Sequence, residues 1–158
     1  MALDSATGTG MESILTRQKA ANLRDGIPSA AKRIEWIDKA IDLLITHGDA
    51  FNDAMCQDFG HRSKDQSGFT DIVSSIGALK FARKHVHNWM RPEKRKVEFP
   101  LGLIGSRAQL QFQPKGVIGV ISPWNFPVNL TFTPLAGVFA AGNRCMIGTD
   151  EIRDRTIL

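Results

Sequence analysis

Cysteine is nearly absent from this sequence: Cys56 and Cys145 are the only two among 158 residues, and they lie far apart. Neither C-x-x-C nor a Cys/His ligand spacing occurs, so the usual signs of a zinc site or a dithiol redox centre are missing. His85 and His87 are two apart in a helical stretch and point about 200° apart, so they do not share a metal. No metal site is expected. No apolar run approaches about 18 residues, so no membrane-spanning helix and no membrane partner are expected. The N-terminus lacks a charged segment followed by an apolar core and reads as no signal peptide. Asn129-Leu-Thr131 fits the glycosylation sequon. Without a secretory signal it reads as chance, and a reduced, cytoplasmic protein is expected. There is no G-x-G-x-x-G phosphate loop. The densest basic run, Arg91-Pro-Glu-Lys-Arg-Lys96, has no interleaved aromatics. It reads as a solvated strand edge, and no nucleic-acid partner is expected. A net charge of +4 and a pI near 9.3 permit an anionic cofactor without demanding one.

What is present fits about one domain, and a chain this long can bury roughly 70% of its unfolded surface. Residues 1–10 are small and polar and read as a loose N-terminus. A helix runs from Glu12 to Arg24, with Ile14, Leu15 and Leu23 as its apolar positions, and ends at Gly26. Ser29 is the expected N-cap of a second helix carrying Ile34, Ile37, Ile41, Leu44 and Ile45. Gly48 reads as a left-handed stop, with Asp49 capping the next turn. Phe51, Ala54, Met55 and Phe59 continue an apolar face to Gly60. Phe69, Ile72, Val73, Ile76, Leu79, Val86 and Met90 form the apolar stripe of another long helix, closed before Pro92. Polar faces oppose these stripes, which makes them core positions.

The period then changes to two. Arg95, Val97 and Phe99 alternate with Lys94, Lys96 and Glu98, and Ala108, Leu110 and Phe112 alternate with Arg107, Gln109, Gln111 and Gln113. This predicts an antiparallel ribbon over about 94–113, turning near Gly102 and Gly105. Val117 to Ile121 is apolar at nearly every position, as in a strand covered on both faces. Pro127 to Ala141 reads as a helix with Pro134 inside it. Either it starts near Thr133 with Pro134 in its first turn, or it starts earlier and kinks. Arg144 to Ile147 completes a β-α-β unit. One such unit leaves open strand edges and apolar surface, which predicts a marginal fold in isolation or a need for partners.

A strand–turn–helix junction is a usual place for a nucleotide. Here the junction is Ser122-Pro-Trp-Asn-Phe-Pro127, so a buried strand delivers Asn125 to the mouth of a sheet. From the residues alone, Asn125 is either a functional amide or a cap for the following helix. Trp124 is either part of a groove or a core aromatic. With Gln113-Pro-Lys-Gly-Val-Ile-Gly-Val-Ile121 before it and Ala140-Ala-Gly-Asn143 after it, this motif resembles the NAD(P)-dependent aldehyde dehydrogenase superfamily. The resemblance runs from about Ile14 to Ile147. Asp58-Phe-Gly-His-Arg-Ser63 is most similar to the coniferyl-aldehyde dehydrogenase branch.

The resemblance implies an α/β fold: N-terminal helices, an antiparallel ribbon that joins subunits, and the first β-α-β unit of an incomplete Rossmann-like cofactor domain over 11–147. It implies NAD or NADP as cofactor, an aldehyde as substrate and a homo-oligomer assembled through the ribbon. Asn125 matches the amide donor to the oxyanion formed when a thiolate attacks the aldehyde. Ile121, Ser122, Pro123 and Trp124 match residues lining the cofactor groove, chiefly through backbone. Glu151 matches a glutamate that contacts ribose hydroxyls.

The pattern departs in residues 148–158. Gly148-Thr-Asp-Glu151 stands where the family has Lys-Pro-Ser-Glu, so the ribose-holding lysine is replaced. The family's nucleophilic cysteine and general-base glutamate belong to later segments. Cys145 and Cys56 have no neighbouring His base and read as inert thiols. The chain is therefore expected to show no dehydrogenase turnover by itself. The alternative is a non-catalytic fragment that acts only by association.

Overall fold

Ser29 opens the buried part of the molecule. In the structure, a computed structural model that describes residues 5–149, its hydroxyl accepts the Lys32 amide at 3.2 Å. That bond starts α2, Ala30–Thr46, and satisfies one of the donors that a helix start leaves unpaired. An earlier helix, α1, spans Ser5–Asp25, so helical structure begins well before Glu12 and includes part of the stretch read as loose. Its apolar positions are not core: Leu23 is 83% exposed. Gly26, with φ of 68°, ends it as expected.

Gly48 is not a left-handed stop. It is the first residue of α3, Gly48–Phe59, and the break between the helices is made at His47. The left-handed stop lies one helix later, at Gly60, with φ of 84°.

A short α4, Lys64–Ser67, runs into a π-helical turn, Gly68–Val73, and then α5, Ser74–Trp89. The π turn explains why the expected stripe is only partly buried. It inserts an extra residue into the repeat and rotates what precedes it by about 100°. Ile72, Leu79 and Val86 face inward, whereas Phe69 and Val73 are exposed and Asp71 takes an inward place. Ile37 and Leu44 of α2 meet Leu79 and Val86 of α5, all fully buried. Each such side chain contributes about 1.5–3 kcal/mol by leaving water.

The ribbon is antiparallel but shorter than its alternation suggests. β1, Glu93–Arg95, pairs with β2, Ala108–Leu110, over three positions. Both strands are exposed throughout, so no packing extends the pairing to Val97 or Phe112. Its tip holds a 3₁₀ turn, Leu101–Ile104, with Phe99, Leu103 and Ile104 in solvent.

β3, Val117–Ser122, and β4, Arg144–Thr149, are parallel, with Val117 opposite Arg144 and Ser122 opposite Thr149. They are joined by α6, Asn129–Ala140. Val120 packs under Leu135 and Val138 of α6. The other face of β3 is half-covered at Val117 and open at its carboxyl end among the described residues, where Ile121 is 81% exposed, so the expected two-sided cover is not complete. α6 starts before Thr133 and keeps Pro134 in its interior, which selects the earlier of the two expected starts. Proline has no N–H to offer the Leu130 carbonyl. β4 continues past Ile147 through Gly148 and Thr149. Glu151 and the remainder of 150–158 lie outside the described residues.

Two buried polar groups lock the α6–β4 corner. Arg33 is 4% exposed; its Nε donates to the Pro28 carbonyl at 3.1 Å and its Nη1 to the Ala140 carbonyl at 2.9 Å. A cation at a helix C-terminus answers the carbonyls left unpaired there, and burial lowers its pKa from the ordinary arginine value. Asn143 accepts the Gly116 amide at 2.9 Å and so ties the start of β3 to the start of β4.

Candidate functional site

The end of β3 delivers Ser122-Pro-Trp-Asn-Phe-Pro127 to the surface as a turn leading into α6. Alternation along the strand sorts these residues. Ser122 is 1% exposed and its hydroxyl lies 2.5 Å from Thr131 Oγ1, which itself donates to the Pro127 carbonyl at 2.6 Å. The side chain of Ser122 thus holds the turn from beneath, and only its backbone is left for a ligand. Ile121, Pro123, Trp124 and Asn125 are all exposed. The Trp124 ring lies 6.0 Å from the Phe59 ring, so this indole is anchored on α3 at the surface instead of sitting in the core.

Asn125 does not cap α6. The amide of Asn129, in the first turn, is accepted by Asp71 Oδ1 at 3.1 Å. The carboxamide of Asn125 makes no hydrogen bond among the described residues, while its backbone carbonyl accepts from Arg62 Nη1 at 2.7 Å. Arg62 Nη2 also binds Asp71 Oδ2 at 2.9 Å. This pair is buried, with side-chain exposures of 9% for Arg62 and 0% for Asp71. The guanidinium lies over both the Phe59 and Phe126 rings, 4.9 Å from each centroid.

Sequence reasoning missed Arg62, Asp71 and Asn129 as parts of this junction. The signal was an acidic residue within the stripe Phe69, Ile72, Val73, Ile76, because a carboxylate on a buried face needs a cation or several donors. Asn129, taken only as part of a chance sequon, donates its amide to the Thr70 carbonyl at 2.6 Å and to Ser74 Oγ at 2.8 Å.

The thiols lie elsewhere. Cys145 lines a groove of about 590 Å³ with Trp36, Phe132 and Phe139, and burial pushes its pKa up, away from the reactive thiolate. Cys56 is on α3 and is a free thiol. Among the described residues no cluster of His, Cys, Asp and Glu could hold a metal ion, and no helix is long and apolar enough to cross a membrane.

Chemically, the turn offers a neutral amide donor beside an apolar rim of Ile121, Pro123 and Trp124, at the carboxyl end of a parallel strand. Ligands bind at that end in open α/β sheets. An amide donates without titrating, which suits charge that develops on a carbonyl oxygen.

The profile of the aldehyde dehydrogenase family matches residues 10–154. A probable coniferyl aldehyde dehydrogenase of Caulobacter vibrioides is 58% identical over 147 residues, covering 92% of this chain and 30% of the relative. The coniferyl aldehyde dehydrogenase of a Pseudomonas species is 47% identical, covering 91% of this chain and 29% of the relative. The chain therefore spans about 30% of the length of the curated relatives it matches. Among solved structures, the substrate-bound state of Staphylococcus aureus AldH aligns at TM-score 0.78 and 27% identity, over 87% of this chain and 29% of that one. Succinic semialdehyde dehydrogenase from Streptococcus pyogenes, in complex with NADP+, aligns at TM-score 0.77 and 16% identity, over 95% of this chain and 31% of its own, which supports the fold alone.

Proposed function

Because this chain belongs to the aldehyde dehydrogenase family, we propose that it supplies the oxyanion donor and one wall of the cofactor groove of an NAD(P)-dependent enzyme. The reaction is R-CHO + NAD(P)+ + H2O giving R-COO− + NAD(P)H + 2 H+. The substrate class is an aromatic aldehyde of the coniferyl type, supported by the names of the Caulobacter and Pseudomonas relatives. The carrying observation is Asn125: an exposed carboxamide, bound to no described residue, on a turn whose backbone is fixed from below.

The exposure of Ile121, Pro123 and Trp124 leaves an apolar rim open to a flat nicotinamide-type ligand, with the Ser122 backbone between Ile121 and Pro123. Bound there, the nicotinamide would accept the hydride. Asn125 donates to the carbonyl oxygen as a thiolate attacks and negative charge appears; Trp124 and Pro123 keep water from that side. Among the described residues neither thiol lies at the Asn125 turn, and by itself the chain carries out no turnover. Its two free cysteines suit a reducing cytoplasm.

The test is a graft in which residues 10–147 replace the matching segment of the Caulobacter relative. NAD(P)H formation with coniferyl aldehyde is expected, and Asn125→Ala should lower kcat by about 100- to 1000-fold. An Asn125→Ala graft with undiminished turnover overturns the reading.

A second reading is favoured by the ribbon tip, where Phe99 is 85%, Leu103 79% and Ile104 78% exposed. Here the chain acts only by association, joining copies of itself or of a longer relative through the ribbon. Sedimentation that shows a strictly monomeric chain at all concentrations counts against it.

A further inference from the structure

Arg62 makes no hydrogen bond to the Asn125 carboxamide, yet through a buried ion pair with Asp71 it joins the Asn125 backbone to the helical layer. We propose that Arg62 is a positioning residue: clamped by Asp71, it fixes the Asn125 backbone so that the carboxamide is held in its donating orientation. This rests on the reading of Asn125 as an oxyanion donor.

The geometry uses both terminal nitrogens of the guanidinium. One nitrogen serves the Asn125 carbonyl at 2.7 Å and the other serves Asp71 at 2.9 Å. The flat faces are occupied by Phe59 and Phe126. The second oxygen of Asp71 accepts the Asn129 amide, so both ends of the segment 125–129 return to one carboxylate. Asp71 in turn is set by the π-helical turn Gly68–Val73. Its own carbonyl is bound by Ser75 Oγ at 2.5 Å and its Oδ2 also meets Thr70 Oγ1 at 3.3 Å. A π turn inside a helix often marks a site under functional constraint.

The need for such a clamp is physical. Pro123, Trp124 and Asn125 are exposed, so packing alone does not hold them. A catalytic donor must stay within about 0.5 Å of its productive place, and misplacement by about 1 Å costs about 100-fold in rate. Lysine could answer Asp71 as a point charge but has no planar fork to reach the carbonyl at the same time.

Two variants test this in the full chain. Arg62→Lys keeps a charge against Asp71 and so protects the fold. Arg62→Ala opens a space that free guanidinium, at a sub-denaturing concentration, can fill. Hydrogen exchange at the amides of residues 124–126, 128 and 129 should quicken about tenfold in Arg62→Lys while amides of α2 and α5 keep their protection. Added guanidinium should restore slow exchange in Arg62→Ala. In the grafted enzyme, Arg62→Lys should lower kcat by about 10- to 100-fold with little change in KM, and guanidinium should recover part of that loss in Arg62→Ala. Unchanged exchange at 124–129 in both variants overturns the clamp, whatever Asn125 does. Quickened exchange with an unchanged kcat, in a graft that Asn125→Ala still cripples, overturns the positioning role. A graft indifferent to Asn125→Ala but sensitive in exchange to Arg62→Lys removes the oxyanion reading and leaves only a structural tie.

Discussion

Gly142 and Arg33 are fitted to each other: a Cβ at Gly142 would stand 2.7 Å from Arg33 Cζ. Gly142 also has φ of 80°, a left-handed conformation that disfavours any side chain. The glycine thus serves two needs. It turns the chain from α6 into β4, and it admits the buried guanidinium that holds the Ala140 carbonyl.

Gly142→Ala should therefore destabilise the chain by about 2–5 kcal/mol, the sum of left-handed strain and overpacking. Urea unfolding measures it. A loss below about 1 kcal/mol would show that Arg33 moves aside at little cost.

Ser122 and Thr131 make a graded pair. Ser122→Ala removes one hydrogen bond but leaves Thr131 donating to the Pro127 carbonyl, so a loss of about 1 kcal/mol is expected. Thr131→Val strands both the Ser122 hydroxyl and that carbonyl and should cost about 2–4 kcal/mol. Equal losses in the two variants would refute this order.

Glu35 sits between Lys32 at 2.8 Å and Lys39 at 2.7 Å, and their hydrogen bonds hold its pKa down to about 2. A depressed carboxylate contributes stability above its unfolded pKa and loses it as pH falls through the folded value. Glu35→Gln should thus be less stable than the parent at neutral pH. The gap should narrow from about pH 4.5 downward and nearly close at about pH 2. Added salt should shrink it at neutral pH, since the pairs are exposed. Urea midpoints across pH would decide, and a gap that widens in acid rejects the assignment.

Cys145 should alkylate slowly in the folded chain. Burial raises its thiol pKa, so the thiolate is scarce at neutral pH. Mass spectrometry after iodoacetamide treatment should show Cys145 reacting much faster in denaturant. Rapid modification in the native state would contradict its place against Phe132 and Phe139.

Local chemistry made parts of the fold readable. Ser29 as a cap, Gly26 and Gly60 as stops and the parallel pairing of two apolar runs all follow from backbone rules that act within a few residues. The place of Asn125 and its neighbours at the end of β3 was readable because the motif is contiguous. Gly48 misled because a glycine between two helices need not be left-handed: His47 made the break and Gly48 began the next helix. Val97 and Phe112 misled because alternation records which face a strand would show, not whether a partner extends that far. The tie from Arg62 to Asp71 and Asn125 spans 63 residues and depends on one π turn, which no periodicity of 3.6 anticipates.

Pro134 removes one backbone hydrogen bond from the middle of α6. The helix is held at both ends instead. Its first turn is pinned to the helical layer through Asn129, by Asp71, Thr70 and Ser74. Its last turn is pinned through the Ala140 carbonyl, by Arg33, with Leu135 and Val138 gripping the sheet. The two ends of one helix thus answer to separate anchors, and the loss of either need not loosen the other.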